Sequence, residues 1–245
     1  EREMEMNKIR VNQIELAYTL RGHGTPLVLL HGYPLDHSIW DETASLLENE
    51  FQLILPDVRG FGESTTVRSM YTLADIARDV AALLDHLKIE KTALVGHSMG
   101  GYISLAFASL FSKRVTGLGF VSSQAVADAP ERKEGRYKTA LEVEQQGVSL
   151  VASTMTDKLT PSSQVRDVIR PLIEKQSAVG VAGALRAMAE REDLSSLLSA
   201  ADIPGVLIHG DADELIPITR AHEIKSIVPA AHLYILPGVA EERYL

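Results

Sequence analysis

Thr92-Ala-Leu-Val-Gly-His-Ser-Met-Gly-Gly101 is the stretch that decides the fold. Thr92–Val95 is an apolar run too short for a helix, and it reads as a buried strand. From Gly101 to about Leu110 the residues suit an apolar helix. Between the two, Gly96-His97-Ser98-Met99-Gly100 flanks a serine with glycines two residues away on each side. That spacing fits a sharp strand-to-helix turn, with Ser98 in a strained backbone conformation and glycine where any Cβ would collide. Such a turn lifts the hydroxyl to the C-terminal edge of a sheet and the N-terminus of a helix. Unsatisfied helix N–H groups there favour developing negative charge. Ser98 is therefore the candidate nucleophile.

Outward from this turn, short apolar runs alternate with helical patterns. Strands are expected at Lys8–Val11, Gln13–Leu20, Pro26–Leu30, Gln52–Leu55, Val115–Val121, Val206–His209 and His232–Leu236. Helices are expected at Ser38–Glu48, Thr72–Leu87 and Thr219–Val228. In the second of these, Leu73, Ile76, Val80, Leu83, Leu84 and Leu87 share one face. Strands that stay apolar without alternation, separated by helices, indicate an α/β chain with a mostly parallel sheet covered on both faces. From about Gln124 to Asp193 the pattern is helical throughout: Glu131–Gln146, Val148–Thr156, Ser163–Lys175 and Val179–Arg191. This predicts a helical cap, residues 124–193, inserted into a core domain made of 1–123 and 194–245.

The 245 residues are 45% hydrophobic and 23% charged, ordinary for a soluble domain. A net charge of −9 without a Lys/Arg cluster argues against a nucleic-acid partner. The absence of cysteine excludes disulfides, thiolate metal sites and cysteine nucleophiles. No apolar stretch approaches the roughly 20 residues of a membrane helix. The charged start, Glu1-Arg2-Glu3-Met4-Glu5-Met6, lacks the apolar run of a signal peptide. A cytoplasmic protein with no membrane partner is the expectation. There is no P-loop, no Gly-x-Gly-x-x-Gly after a strand and no metal-ligand histidine spacing, so neither cofactor nor metal is expected.

Three further segments fall at strand ends: His31-Gly32, then Asp57-Val58-Arg59-Gly60-Phe61-Gly62-Glu63-Ser64, then Gly210-Asp211-Ala212-Asp213-Glu214-Leu215-Ile216-Pro217. Together with the Ser98 turn, and in this order, the chain resembles the α/β-hydrolase fold superfamily over nearly its whole length, among serine esterases and 3-oxoadipate enol-lactone hydrolases. The resemblance implies acyl transfer to water, with Ser98 as nucleophile and Asp213, four residues before Pro217, as triad acid. It implies an oxyanion hole from the backbone N–H groups of Met99 and Tyr33. Asp211 competes with Asp213 but reads as a turn carboxylate. His31, His97, Asp57 and Arg59 read as structural. Tyr33, Ile39, Trp40 and Met99 are candidate pocket walls, though each also suits a core. The apolar positions Val148, Leu150, Val151 and Met155 read as packing.

The base is the departure. The family carries it in a run like Pro-Gly-x-Gly-His after the last strand, where this chain reads Pro237-Gly238-Val239-Ala240-Glu241. None of the eight histidines lies beyond His232, and none is a credible base; His37 is the least remote. Either residues around 240–243 are missing from this sequence, with Glu241–Leu245 belonging to a terminal helix, or the triad is broken. The expected substrate is a small carboxylic ester or lactone. The alternatives are a catalytically impaired ligand-binding protein, or a perhydrolase or haloperoxidase using the same serine.

Overall fold

The computed structural model describes residues 6–160, 162–200 and 203–239. Its strands are β1 (Asn7–Val11), β2 (Ile14–Arg21), β3 (Thr25–Leu30), β4 (Phe51–Pro56), β5 (Thr92–His97), β6 (Val115–Val121), β7 (Gly205–Gly210) and β8 (His232–Leu236). They form one sheet in the order β1-β2-β4-β3-β5-β6-β7-β8. β1 and β2 make a hairpin through Asn12 and Gln13, whose φ angles of 44° and 69° suit the tight turn. β2 meets β4 antiparallel, and every later pairing is parallel. The apolar runs explain the central place of β3 and β4: Val28, Leu29, Leu30, Leu53, Ile54 and Leu55 are all buried. β8 at the edge leaves Tyr234 and Ile235 exposed.

The helices are α1 (Asp41–Leu47), α2 (Leu73–His86), α3 (Met99–Leu110), α4 (Pro130–Gln146), α5 (Ser149–Leu159), α6 (Ser163–Glu174), α7 (Ala178–Ala189), α8 (Ser195–Ala200) and α9 (Thr219–Ile227). Thr72 starts α2 through a capping box with Asp75, satisfying two otherwise orphaned N–H groups. The helix expected over Ser38–Glu48 divides instead: His37–Trp40 is a 3-10 turn capped by Asp36, and α1 follows. The side chain of Asp36 accepts from the Ser38 N–H, so the chain tightens one residue earlier than the hydrophobic pattern indicates. The short α8 has too few residues to show a helical period, and sequence reading missed it. Among the described residues no helix is long and apolar enough to cross a membrane.

Between β6 and β7 the chain forms α4 to α7, with α4 packed along α7 and α5 along α6. The junction between α6 and α7 fastens this layer to the sheet loops. The Gln176 side-chain amide donates to Asp36 Oδ2 at 3.1 Å, and its oxygen accepts the Gly62 N–H at 2.9 Å. Lys175 Nζ lies 2.7 Å from the same Asp36 oxygen. At the start of α7, Gly180 meets Gly60 backbone to backbone; a Cβ there would stand 1.9 Å from the Gly60 oxygen. Burial pushes the Asp36 carboxyl upward, but the hydrogen bonds from Lys175 and Ser38 more than offset this and hold it at about 2.

A carboxyl depressed below its ordinary range stabilises the fold above that range and ceases to do so as pH falls through the folded value. Asp36→Asn is thus expected to lower unfolding free energy near neutral pH by about 2 kcal/mol. Urea titrations should show that gap between wild type and variant holding down to about pH 4 and closing as pH is taken from there towards about 2.

Candidate active site

The turn at Ser98 has the geometry that the Gly-x-Ser-x-Gly spacing demands. Ser98 adopts φ 48° and ψ −111°, a strained conformation for a residue bearing a side chain. Its N–H donates to the Val121 oxygen at 2.8 Å, and its carbonyl accepts the Ser123 hydroxyl at 2.8 Å. A Cβ on Gly96 would lie 2.1 Å from the carbonyl carbon of Gly100, and one on Gly100 would lie 2.2 Å from the Leu30 oxygen. Strand β5 and helix α3 can therefore meet only through glycine. Ser98 is half-buried and lines a cavity of about 310 Å³, directly before the first residue of α3.

The two loops after β3 and β4 support this turn. His31 is wholly buried: its Nδ1 contacts the Gly32 oxygen at 3.0 Å and its Nε2 accepts the Val58 N–H at 3.0 Å. Those partners require the neutral ring protonated on Nδ1, in keeping with the lowering of its pKa by burial. His97 packs against Gly32, where a Cβ would come within 2.4 Å of its Nδ1. Asp57 accepts from the His37 backbone N–H at 2.9 Å, from His37 Nδ1 at 2.7 Å and from the Glu63 N–H at 2.9 Å. Burial pulls the His37 pKa down, but the Asp57 carboxylate outweighs it and the net shift is upward. Arg59 forms a two-pronged ion pair with Asp79, both contacts at 2.6 Å. These four residues brace loops. Ligand atoms of Asp36, His37 and Asp57 lie within 4.8 Å of one another, but both carboxylates already accept hydrogen bonds from the surrounding loops.

Asp213 sits in the loop after β7, its side chain buried. Oδ1 accepts the N–H groups of Leu215 and Ile216 at 2.9 and 2.8 Å. Among the described residues Oδ2 has no hydrogen-bond partner; His209 Nε2 stands 3.5 Å away and bonds the Ile216 oxygen at 2.7 Å instead. The Ser122 hydroxyl is near enough to lower the Asp213 pKa but makes no hydrogen bond of sound geometry. Burial dominates, and the carboxyl is raised. Asp211 accepts the Gly238 N–H at 2.6 Å, a turn role.

The cavity beside Ser98 is lined by Tyr33 and Tyr102, by Leu215 and Ile216 of the Asp213 loop, and by side chains of α4, α5 and α7. Tyr33 is buried against Phe61, and burial raises its hydroxyl pKa while the charge of Arg136 opposes the rise. Ile39, Trp40 and the Met99 side chain are core residues and do not line this cavity, because the 3-10 turn and the first turn of α3 direct them inward. Val151 and Met155, read from the sequence as packing, do line it. So do three cations, Arg132, Arg136 and Lys158, and, among the described residues, no carboxylate. Arg136 and Arg191 hold the buried Asp128, with Arg132 at 3.5 Å from it. Arg132 and Arg136, four residues apart on one helix, carried a spacing that could have marked them as sharing a face. Positions 240–245, where the family places its base, lie outside the described residues.

The alpha/beta hydrolase fold family matches residues 25–241. A thermophilic esterase from Thermogutta terrifontis superposes with a TM-score of 0.92 at 34% identity, covering 97% of this chain and 92% of that one. The enol-lactonase from Burkholderia xenovorans LB400 shares the fold, with a TM-score of 0.89 at 23% identity over 96% of this chain and 93% of that one. The dihydrolipoyllysine-residue acetyltransferase component of the acetoin cleaving system of Pseudomonas putida is 32% identical over 87% of this chain, which spans 58% of that protein's length. With the family model matched over most of its length and an esterase 34% identical across nearly all of it, this chain belongs to the α/β-hydrolase family.

Proposed function

We propose that this protein is a serine hydrolase that cleaves a small carboxylic ester or lactone through an acyl-enzyme on Ser98. The observation that carries the reading is a serine on a strained strand-to-helix turn, opening on a cavity of about 310 Å³ at a helix N-terminus. Ser98 Oγ attacks the substrate carbonyl carbon, and the carbonyl π electrons move onto oxygen. The backbone N–H groups of Met99 and Tyr33 receive that oxyanion, fixed before the charge develops. Asp213 orients the base that takes the hydroxyl proton and returns it to the leaving alcohol, after which water repeats the cycle on the acyl-enzyme. Ala240–Leu245 as they stand hold no histidine, so this reading requires that base from residues missing around 240–243. Residues 124–193 act as the cap over a core of 1–123 and 194–245, and supply most of the specificity.

The lining favours a substrate that carries its own carboxylate. In a chain of net charge −9, a cavity lined among its described residues by three cations and no acidic side chain favours an anion, with Asp128 neutralising part of the charge of Arg136 and Arg132. Arg136 lines the same cavity as Ser98, so a carboxylate held by it shares that cavity with the nucleophile.

A fluorophosphonate probe should label wild-type protein covalently on Ser98, read by intact mass, and leave Ser98→Ala unlabelled. Failure of a folded protein to label would favour the rival, a ligand-binding protein that kept the fold and lost its base. Asp213→Asn is expected to cut kcat on p-nitrophenyl acetate by about 10³–10⁴, while Asp211→Asn stays within about threefold. Lys158→Glu should lower kcat/KM for a half-ester of a dicarboxylic acid about fivefold relative to its neutral methyl analogue, less so in high salt.

A further inference from the structure

A second cavity, of about 280 Å³, lies behind the first, between α2, α3 and the end of α7. Tyr102 lines both, and among the described residues it alone does so. It stands on α3 one turn after Ser98 and is buried. Its side chain is held from two sides. The Gln124 amide donates to the Tyr102 hydroxyl at 3.3 Å, and the Arg191 guanidinium stacks 4.4 Å from the ring centroid. Arg191 is itself fixed, donating to the oxygens of Val126 and Met188 and to Asp128 at 3.1, 3.0 and 2.7 Å.

The two cavities differ in chemistry. The first carries the three cations; the second has an apolar floor of Leu73, Leu105, Ala106, Ala187 and Leu194, with Glu190 and Glu192 at its edge. Arg191 also lines it and Lys133 pairs with Glu190, so the apolar floor, rather than net charge, is what suits this space to a neutral aliphatic chain. Resting on the reading of Ser98 as an acyl-transfer nucleophile, we propose that Tyr102 is the specificity-determining residue that limits substrate length, by walling an aliphatic subsite off from Ser98. Substrates in this chain end at the Tyr102 ring; without the ring, an unbranched acyl or alkyl chain runs on into the second cavity.

The test compares wild type, Tyr102→Phe, Tyr102→Ala and Tyr102→Ala/Ala106→Phe on p-nitrophenyl esters from acetate to decanoate. Tyr102→Phe keeps the ring and is expected to keep the wild-type length cut-off. Tyr102→Ala should raise the ratio of decanoate to acetate kcat/KM at least tenfold, and refilling the second cavity through Ala106→Phe should abolish that gain. Unfolding midpoints confirm that each variant is folded, and Tyr102→Leu, with part of the gain, replaces any that is not. A parallel titration of methyl ketones of increasing chain length into the same proteins in a Ser98→Ala background reads the partition without turnover. Affinity should stop improving at a shorter length with the ring than without it, where each further methylene adds about fourfold. Loss of all ester turnover with the ketone pattern intact would sink the hydrolase reading and leave the partition standing. An unchanged ketone cut-off in folded Tyr102→Ala, or a shift in Tyr102→Phe equal to that in Tyr102→Ala, overturns the proposal.

Discussion

Between Gly96 and Gly100 the backbone of β5 and the first turn of α3 come so close that no side chain can stand between them. This contact forces Ser98 into a conformation costing of order 1–3 kcal/mol, and the neighbouring structure holds it there. The Ser98 N–H is tied to β6 through Val121, and its carbonyl to Ser123. Gly100 lies against the end of β3. Three parallel strands thus converge on one turn, and the central position of β5 between β3 and β6 is what makes the hydroxyl available at the sheet's edge.

The surrounding loops show how buried charge is made tolerable near such a turn. Asp57, Asp79 and Asp128 are buried and multiply hydrogen-bonded, each to partners from distant parts of the chain. Paired charges of this kind specify an arrangement more than they add stability, because desolvation offsets most of the attraction. Asp36 joins the sheet loops to the helical layer through Gln176 and Lys175, and Asp128 ties α4 to the loop after α7 through Arg191. Asp213 differs in being buried with one oxygen satisfied by two backbone N–H groups and the other turned to no described partner.

Much of the fold was legible in the sequence because the sheet is apolar on both faces, and runs such as Pro26–Leu30 and Gln52–Leu55 cannot be solvent-facing. The α4–α7 helices were legible for the converse reason, a long stretch with helical period and no β-branched run. What escaped were local choices: the Asp36-capped 3-10 turn in place of a longer helix, and the short α8. At the site, Ser98 was singled out by the glycine spacing and Asp213 by the family resemblance. The cavity walls did not: Ile39 and Trp40 went to the core, while Val151, Met155 and Tyr102 came to the cavity. Hydrophobic periodicity says that a residue is buried, without saying whether it is buried against protein or beside a space.

The sequence by itself determined the α/β architecture, the turn that presents Ser98 and the loop that carries Asp213, because each depends on a local requirement of backbone sterics or strand polarity. Only the tertiary structure decided that Arg132, Arg136 and Lys158 gather around one cavity, and that Tyr102 lines both it and a second. Those arrangements arise where helices from a separate stretch of chain settle on the sheet loops. No spacing along the chain encodes the distance between them.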